Sequence, residues 1–321
     1  MNIARSLACL FVAALTLLLP ASALADWPEK PIRFVVPFPA GGGADSLVRS
    51  VAEGMSKVLG QPVIVDNKPG SDAALGSAFV AKAPPDGYTI LFAGSTGFSA
   101  APYLHKNLGY DPVKDFTPIS MLGMFPFFIA ANNDFPAKTL GELVEYVRTN
   151  PGKVNYASST GMGTVATAQL AAAEKLAMTH VPYKGEAPAL PDLLGNRVQL
   201  LLATNFIIPH VKEGRVRAIV AILDQRHDAL PDVPTVAEAG FPSIAIRSWG
   251  SVVAPAGLPG EIQEKLARAV NESLRMESTK KALAVQGFPG QGSTPLQLAE
   301  VIRAQLALWG EAVNAAGLKP E

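Results

Sequence analysis

The sequence predicts an α/β fold with parallel sheets, divided into two lobes. Short continuous apolar runs alternate with segments of helical periodicity. The 27 prolines and 28 glycines are scattered between those segments as turn punctuation rather than gathered into a disordered tail. The chain has 321 residues, and a single core stops growing beyond about 250–300.

The elements follow in order. Arg5 is the only charge before Asp26, and "LACLFVAALTLLL" (Leu7 to Leu19) is apolar but shorter than the roughly 20 residues that span a bilayer. Pro20 and the small residues Ala23 and Ala25 complete the layout of a secretory signal peptide over residues 1–25. The expected location is the periplasm. Cys9, the one cysteine, lies in that leader, so the exported chain forms no disulfide. Without Arg5, 26 basic residues face 27 acidic ones, a net charge of −1. No basic block marks a nucleic-acid footprint.

"IRFVV" (Ile32 to Val36) reads as a buried strand. The next helix places Leu47, Val48, Val51, Met55 and Val58 on one side and stops at Gly60. With "PVIVD" (Pro62 to Asp66) this makes a βαβ unit, whose strands are parallel. "YTILFA" follows the turn "PPDG", and Thr139 with Glu142 forms a capping box for a helix ending before Pro151. "VNYA" and "VQLLLA" bracket two helices, and "RAIVAI" is a further buried strand. Pro259 opens an amphipathic helix through Leu274, and Thr294, Pro295 and Gln297 cap the last one.

Chemistry gathers at the strand-to-helix loops. After Phe34–Val36, "PFPAGGGADS" carries Gly41, Gly42 and Gly43, then Asp45. A Walker loop needs a lysine and the dinucleotide fingerprint a glycine where Ser46 stands. What is left is a backbone anion site: bare N–H groups at a helix N-terminus carrying about half a positive charge. Without a fixed cation it suits a carboxylate better than a triphosphate. Asp45 would cap the helix. The alternative is a tight turn without ligand. A second loop, "YASSTGMGT", offers Ser158, Ser159, Thr160 and Thr164 as donors and Gly161 and Gly163 for close backbone approach. A third, "GSTGFS" (Gly94 to Ser99), ends another strand. Ligands of open parallel sheets bind beyond such carboxyl ends.

The segments "VVPFPAGGGADSLVR", "VPYKGEAPALPDLLGNRV" and "LPDVPTVAEAGFP" resemble signatures of the Bug, or TctC, receptors, the substrate-binding proteins of tripartite tricarboxylate transporters. The likeness runs from Trp27 to Leu318. It implies a periplasmic binding protein, type II-like, with two α/β lobes around a central ligand cleft. Residues 26–124 and 248–321 would form lobe 1, and 125–247 lobe 2. It implies a small carboxylated ligand and membrane permease subunits as partners; a membrane sensor is the alternative. Carried over by motif, Phe38, Ala40, Gly42 and Gly43 form the first side of the cleft, and Ser95 and Thr96 its second loop. Ser159, Gly163 and Thr164 form the carboxylate loop of the middle part, Asp192 an acidic position near the cleft, and Thr204 and Asn205 a strand end facing it. Thr167 and Gln199 depart from the family pattern, where histidine and an acid are common.

The residues do not point to an enzyme. No GxSxG elbow surrounds a serine, and His105, His180, His210 and His227 show no metal-ligand spacing. His180 reads as a strand residue, His210 and His227 as surface residues, and Trp249 and Trp309 as core. No cofactor, metal or nucleic acid is expected, and the protein is expected to be a monomer. The ligand stays open among tricarboxylates, dicarboxylates, amino acids and aromatic acids, with a mono- or diacid favoured over citrate by the scarcity of charged cleft candidates.

Overall fold

In the computed structural model, residues 27–159, 161–183, 185–241, 244, 246–285, 287–315 and 317 are described. The leader expected over residues 1–25, and Thr160, lie outside them.

The chain begins β1 (Ile32–Val36), α1 (Gly43–Leu59), β2 (Val63–Asn67), α2 (Ala74–Ala81), β3 (Thr89–Gly94). A π-helical turn (Thr96–Ala100) and α3 (Ala101–Leu104) lead to β4 (Phe116–Phe125) and β5 (Phe128–Asn132). Then come α4 (Leu140–Thr149), β6 (Val154–Ser158), α5 (Gly161–Glu174), β7 (Met178–Pro182), α6 (Glu186–Leu194) and β8 (Leu200–Ala203). A 3-10 turn (Asn205–Ile207), α7 (Ile208–Lys212) and β9 (Val216–Ala221) precede β10 (Ser248–Pro255). The chain closes with α8 (Gly260–Arg275), α9 (Glu277–Val285) and α10 (Pro295–Ala315).

Two five-stranded sheets result, ordered β2-β1-β3-β10-β4 and β7-β6-β8-β5-β9. They are mixed rather than parallel. β10 runs antiparallel to β3 and β4, and β5 antiparallel to β8 and β9. The βαβ unit gave the expectation of parallel strands, but β5 and β10 were not among the runs read, and a strand covered on both faces carries no mark of its direction. Such coverage is plain in the packing. Ile32, Phe34 and Val36 of β1 enter one core while Val35 enters the core on the opposite face. In the second sheet Leu200 and Leu202 point one way and Leu201 and Ala203 the other.

Local chemistry fixes the helices. Thr139 Oγ1 accepts from Glu142 N at 3.2 Å, a cap whose loss costs about 0.5–2 kcal/mol. Thr294 and Gln297 cap α10 reciprocally, at 3.2 and 2.9 Å. α1 crosses α8 at Gly54, where a Cβ would stand 2.2 Å from Ser273 Oγ; that hydroxyl donates to Val51 O at 2.8 Å.

The sheets meet along several seams. β4 passes into β5, and the segment after β9 returns to β10. α10 buries Leu298 and Ile302 in a core of the first sheet and Trp309, Ala312 and Val313 in a core of the second. Trp249 and Trp309 are both core residues, as expected. His227, expected at the surface, is instead buried against Phe128, its ring closing a seam. Its Nδ1 accepts from Ala229 N, which leaves Nε2 to donate to Gly287 O at 2.8 Å. Among the described residues no helix is long and apolar enough to cross a membrane.

Candidate functional site

The glycine loop is built from inside by Asp45. Gly41 turns the chain at φ +80°, and Gly42 precedes α1 in extended conformation without a side-chain cap. The buried Asp45 carboxylate accepts from Gly41 N and Arg49 Nε, both at 2.9 Å, through Oδ2, and from Asn67 Nδ2 at 2.9 Å through Oδ1. Asn67 Nδ2 also donates to Phe38 O at 3.1 Å. Burial opposes charge on Asp45, but the hydrogen bonds from Arg49, Gly41 and Asn67 outweigh it and hold the carboxyl below its usual range. Two consequences follow. Arg49 is spent on Asp45 and Asn67. The N–H groups of Gly42, Gly43 and Ala44 find no acceptor among the described residues, and the three glycines are exposed. The loop therefore presents main-chain donors at the positive end of a 17-residue helix.

The other loops sit next to it through close contacts. Pro37 packs against Gly76 of α2, where a Cβ would lie 2.8 Å from Pro37 Cβ. Ala73, just before α2, meets Gly97 of the π turn, and Gly161 of α5 faces Ala100 and Leu104. The stretch expected as a polar loop after β3 is thus the π-helical turn. Ser95 before it is buried and shares a hydrogen bond with Ser248 Oγ at 3.2 Å; Thr96 opens the turn and is part-buried. Single π turns of this kind recur at functional sites.

On the opposite side, a Cβ on Gly163 would fall 2.7 Å from Ser158 Cβ, so its bare backbone lets α5 start directly over the end of β6. Ser158 Oγ lies 3.0 Å from Thr164 Oγ1 and 2.7 Å from His180 Nε2. His180 pairs in register with Tyr156 across β6 and β7 and stacks on its ring at 4.9 Å. Burial pushes the His180 imidazole below its ordinary value, so it is neutral at pH 7. It is a strand residue, as read, but sequence did not assign it to the site.

These groups wall a cavity of about 200 Å³. Asp72 and Leu104 line one side, and Ser158, Ser159, Thr164 and His180 the other, with Tyr183 beside them. Phe38, Ala40, Gly42 and Gly43 stand outside this wall. A larger hollow of about 430 Å³ lies between α8 and the approach to α10, remote from all these loops.

Asp192 on α6 faces the cavity only through Tyr183. Its Oδ2 accepts from Tyr183 OH at 2.6 Å and its Oδ1 from Arg197 Nη1 at 2.7 Å; both bonds hold the carboxyl below its usual range. Thr204, at the end of β8, donates from N and Oγ1 to Glu186 at 2.9 and 3.0 Å. The Glu186 residue keeps some solvent contact, yet desolvation of its carboxyl outweighs those two bonds and pushes it up to about 7. Asn205 begins the 3-10 turn with its Cβ near Gly287. Of the two departures from the family pattern, Thr167 is buried within α5. Gln199 accepts from Asn155 N at 2.9 Å, tying β6 to the strand beside it. Neither lines the cavity. Among the described residues no cluster of three metal-ligating side chains occurs.

The arrangement has known counterparts. The family model described as tripartite tricarboxylate transporter family receptor, TctC, matches residues 47–318. The UPF0065 protein in the tcbD-tcbE intergenic region of Pseudomonas sp. (strain P51) is 36% identical over 310 residues, 95% of this chain and 92% of its own. The structure of periplasmic binding protein BugD superposes with a TM-score of 0.79 at 34% identity, covering 92% of this chain and 100% of that one. An R. palustris protein solved with adipate gives 0.82 at 32% identity, again covering 92% and 100%. With two α/β units, an interposed cavity and this likeness over nearly its whole length, the chain belongs to the TctC family of periplasmic solute receptors and is a binding protein rather than an enzyme.

Proposed function

We propose that this protein captures a small carboxylated organic acid between its two sheet units and delivers it to a tripartite tricarboxylate-type membrane permease. One observation carries the reading. At the glycine loop Asp45 and Arg49 neutralise each other, while the N–H groups of Gly42, Gly43 and Ala44 remain unclaimed by protein acceptors among the described residues. Such donors bond a carboxylate at roughly 1.5–3 kcal/mol each, so three near the top of that range, or three with a fourth donor, reach the roughly −8 kcal/mol of a micromolar complex. The relative solved with adipate supports the ligand class.

In this reading residues 26–124 with 248–321 form one lobe and 125–247 the other, and residues 1–25 export the chain to the periplasm, where it works as a monomer. One carboxylate docks on Phe38, Ala40, Gly42 and Gly43, with Ser95 and Thr96 beside it. Ser159, Gly163 and Thr164 close from the second lobe. Asp192 acts by orienting Tyr183, and Thr204 and Asn205 form the rear of the cleft. Closure is driven only by the difference in ligand affinity between open and closed forms. A thermal-shift screen of C4–C6 acids, followed by small-angle scattering with the tightest binder, tests this. Stabilisation with a smaller radius of gyration is expected. No stabilisation by any acid rejects the function, and unchanged dimensions at saturation reject closure.

A further inference from the structure

Beside α2 the backbone does something its residues resist. Ser71, Asp72 and Ala73 follow one another at φ 48°, 50° and 70°. Left-handed geometry costs a non-glycine residue about 1–2 kcal/mol, although Asp tolerates it better than Ser or Ala. The turn is held nonetheless. Ala74 N donates to Ser71 O at 2.9 Å, Ser77 Oγ to Ala73 O at 2.9 Å, and the buried Ala73 methyl rests against Gly97. The result makes Asp72 part of the cavity lining, together with Ser158, Ser159 and His180. His105 Nε2 lies 3.0 Å from Asp72 Oδ2, which fixes the carboxylate and leaves Oδ1 without a protein partner among the described residues.

Among the described residues the lining charge of this cavity is one-sided. Asp72 is its one carboxylate, and no lysine or arginine lines it among the described residues. The far wall carries hydroxyls and the start of α5, a 14-residue helix whose N-terminal end favours negative charge. A dianion spanning the cavity would bring its second carboxylate against Asp72. A zwitterion would match both ends. The volume of about 200 Å³ equals that of roughly seven waters, room for a solute of a few carbons.

We infer that Asp72, steadied by His105, receives the ammonium group of the solute, so the receptor selects small amino acids over the corresponding plain acids. This rests on the reading of the protein as a carboxylate receptor and narrows it. The partly exposed Asp72 (47% of its side chain) becomes a strong discriminator only as the second unit covers it.

The test uses isothermal titration of the exported chain with matched probes: glutamate against glutarate, aspartate against succinate, 6-aminohexanoate against hexanoate. At least one amino member should bind tenfold or more tighter than its partner. Asp72→Asn should reduce that advantage to threefold or less without weakening the plain acid. Asp72→Gly should do the same while raising the melting temperature, because it removes strain, and so shows that loss of preference is not loss of fold. Amino members that bind no better than plain acids, or an advantage that survives Asp72→Asn, overturn the inference and leave the carboxylate reading standing. Failure of all six probes, together with failure of the wider acid screen, overturns both.

Discussion

Replacing Gly42 by valine separates the chemistry of the glycine loop from its folding. Gly42 has φ −79°, a value any residue adopts. A Cβ there meets only Pro39 O, at 3.5 Å, an ordinary contact. The residue is exposed, so the isopropyl group displaces no core atom. The substitution exchanges a glycine N-cap for a β-branched one, a cost of at most about 1 kcal/mol, or some 2–4 °C in melting temperature for a chain of this size. Binding should suffer far more. The branched side chain stands over the N–H groups of Gly43 and Ala44 that the carboxylate needs. Losing one charge-assisted bond at about 1.5–3 kcal/mol weakens affinity roughly 10- to 150-fold, and losing two puts it beyond detection. Titration calorimetry with the best acid from the screen, beside a thermal melt of each protein, gives both numbers. A variant that melts within about 4 °C of wild type and binds within twofold would show that the loop is a turn and nothing more.

Other consequences are simpler to read. Glu186 has its carboxyl raised from 4.5 to about 7 in the folded state, so it stabilises the fold fully below about 4.5 and loses that contribution as pH rises through 7. Glu186→Gln should therefore stabilise the fold at pH 8 by an amount on the order of 3 kcal/mol, seen as a higher melting temperature, and change little at pH 5; equal shifts at both pH values would refute this. Asp45→Ala strips Gly41 N of its acceptor and frees Arg49, and should cost about 2–3 kcal/mol in denaturant unfolding; an unchanged midpoint would mean the loop is not held from inside. Gly54→Ala forces a methyl group to within 2.2 Å of Ser273 Oγ and should cost about 1–3 kcal/mol without altering ligand affinity, measured by the same melts and titrations. A loss of affinity there would mean that the α1–α8 crossing transmits to the loop.

Several elements were legible because they lie in local patterning: Leu47, Val48, Val51 and Met55 announce α1, and Thr139 and Thr294 announce their helices. β4, β5 and β10 were not read as strands, and with β5 and β10 went the antiparallel pairings, which depend on partners distant in sequence. The glycine loop was visible as a strand-to-helix turn, yet its inner bracing was not: Asp45 binds Gly41 N and also Asn67, twenty-two residues away in sequence. His180 reaches Ser158 only through the parallel register of β6 and β7, a non-local fact. Asp72 was not singled out in the sequence, since backbone strain leaves no mark in composition.

The helix from Pro295 to Ala315 is owned by neither half of the molecule. It is a rod of about 32 Å, nailed at Leu298 into one interior and at Trp309 into the other. Halves riveted in this way do not swing as beads on a string. A roll about the rod is the motion that would leave both anchorages intact, with the two strand crossovers flexing to follow. Trimming the chain before Trp309 would leave an empty slot in the second interior, at a cost of about 3–5 kcal/mol, and would release the rod's far end. The tail of this receptor is thus an axle.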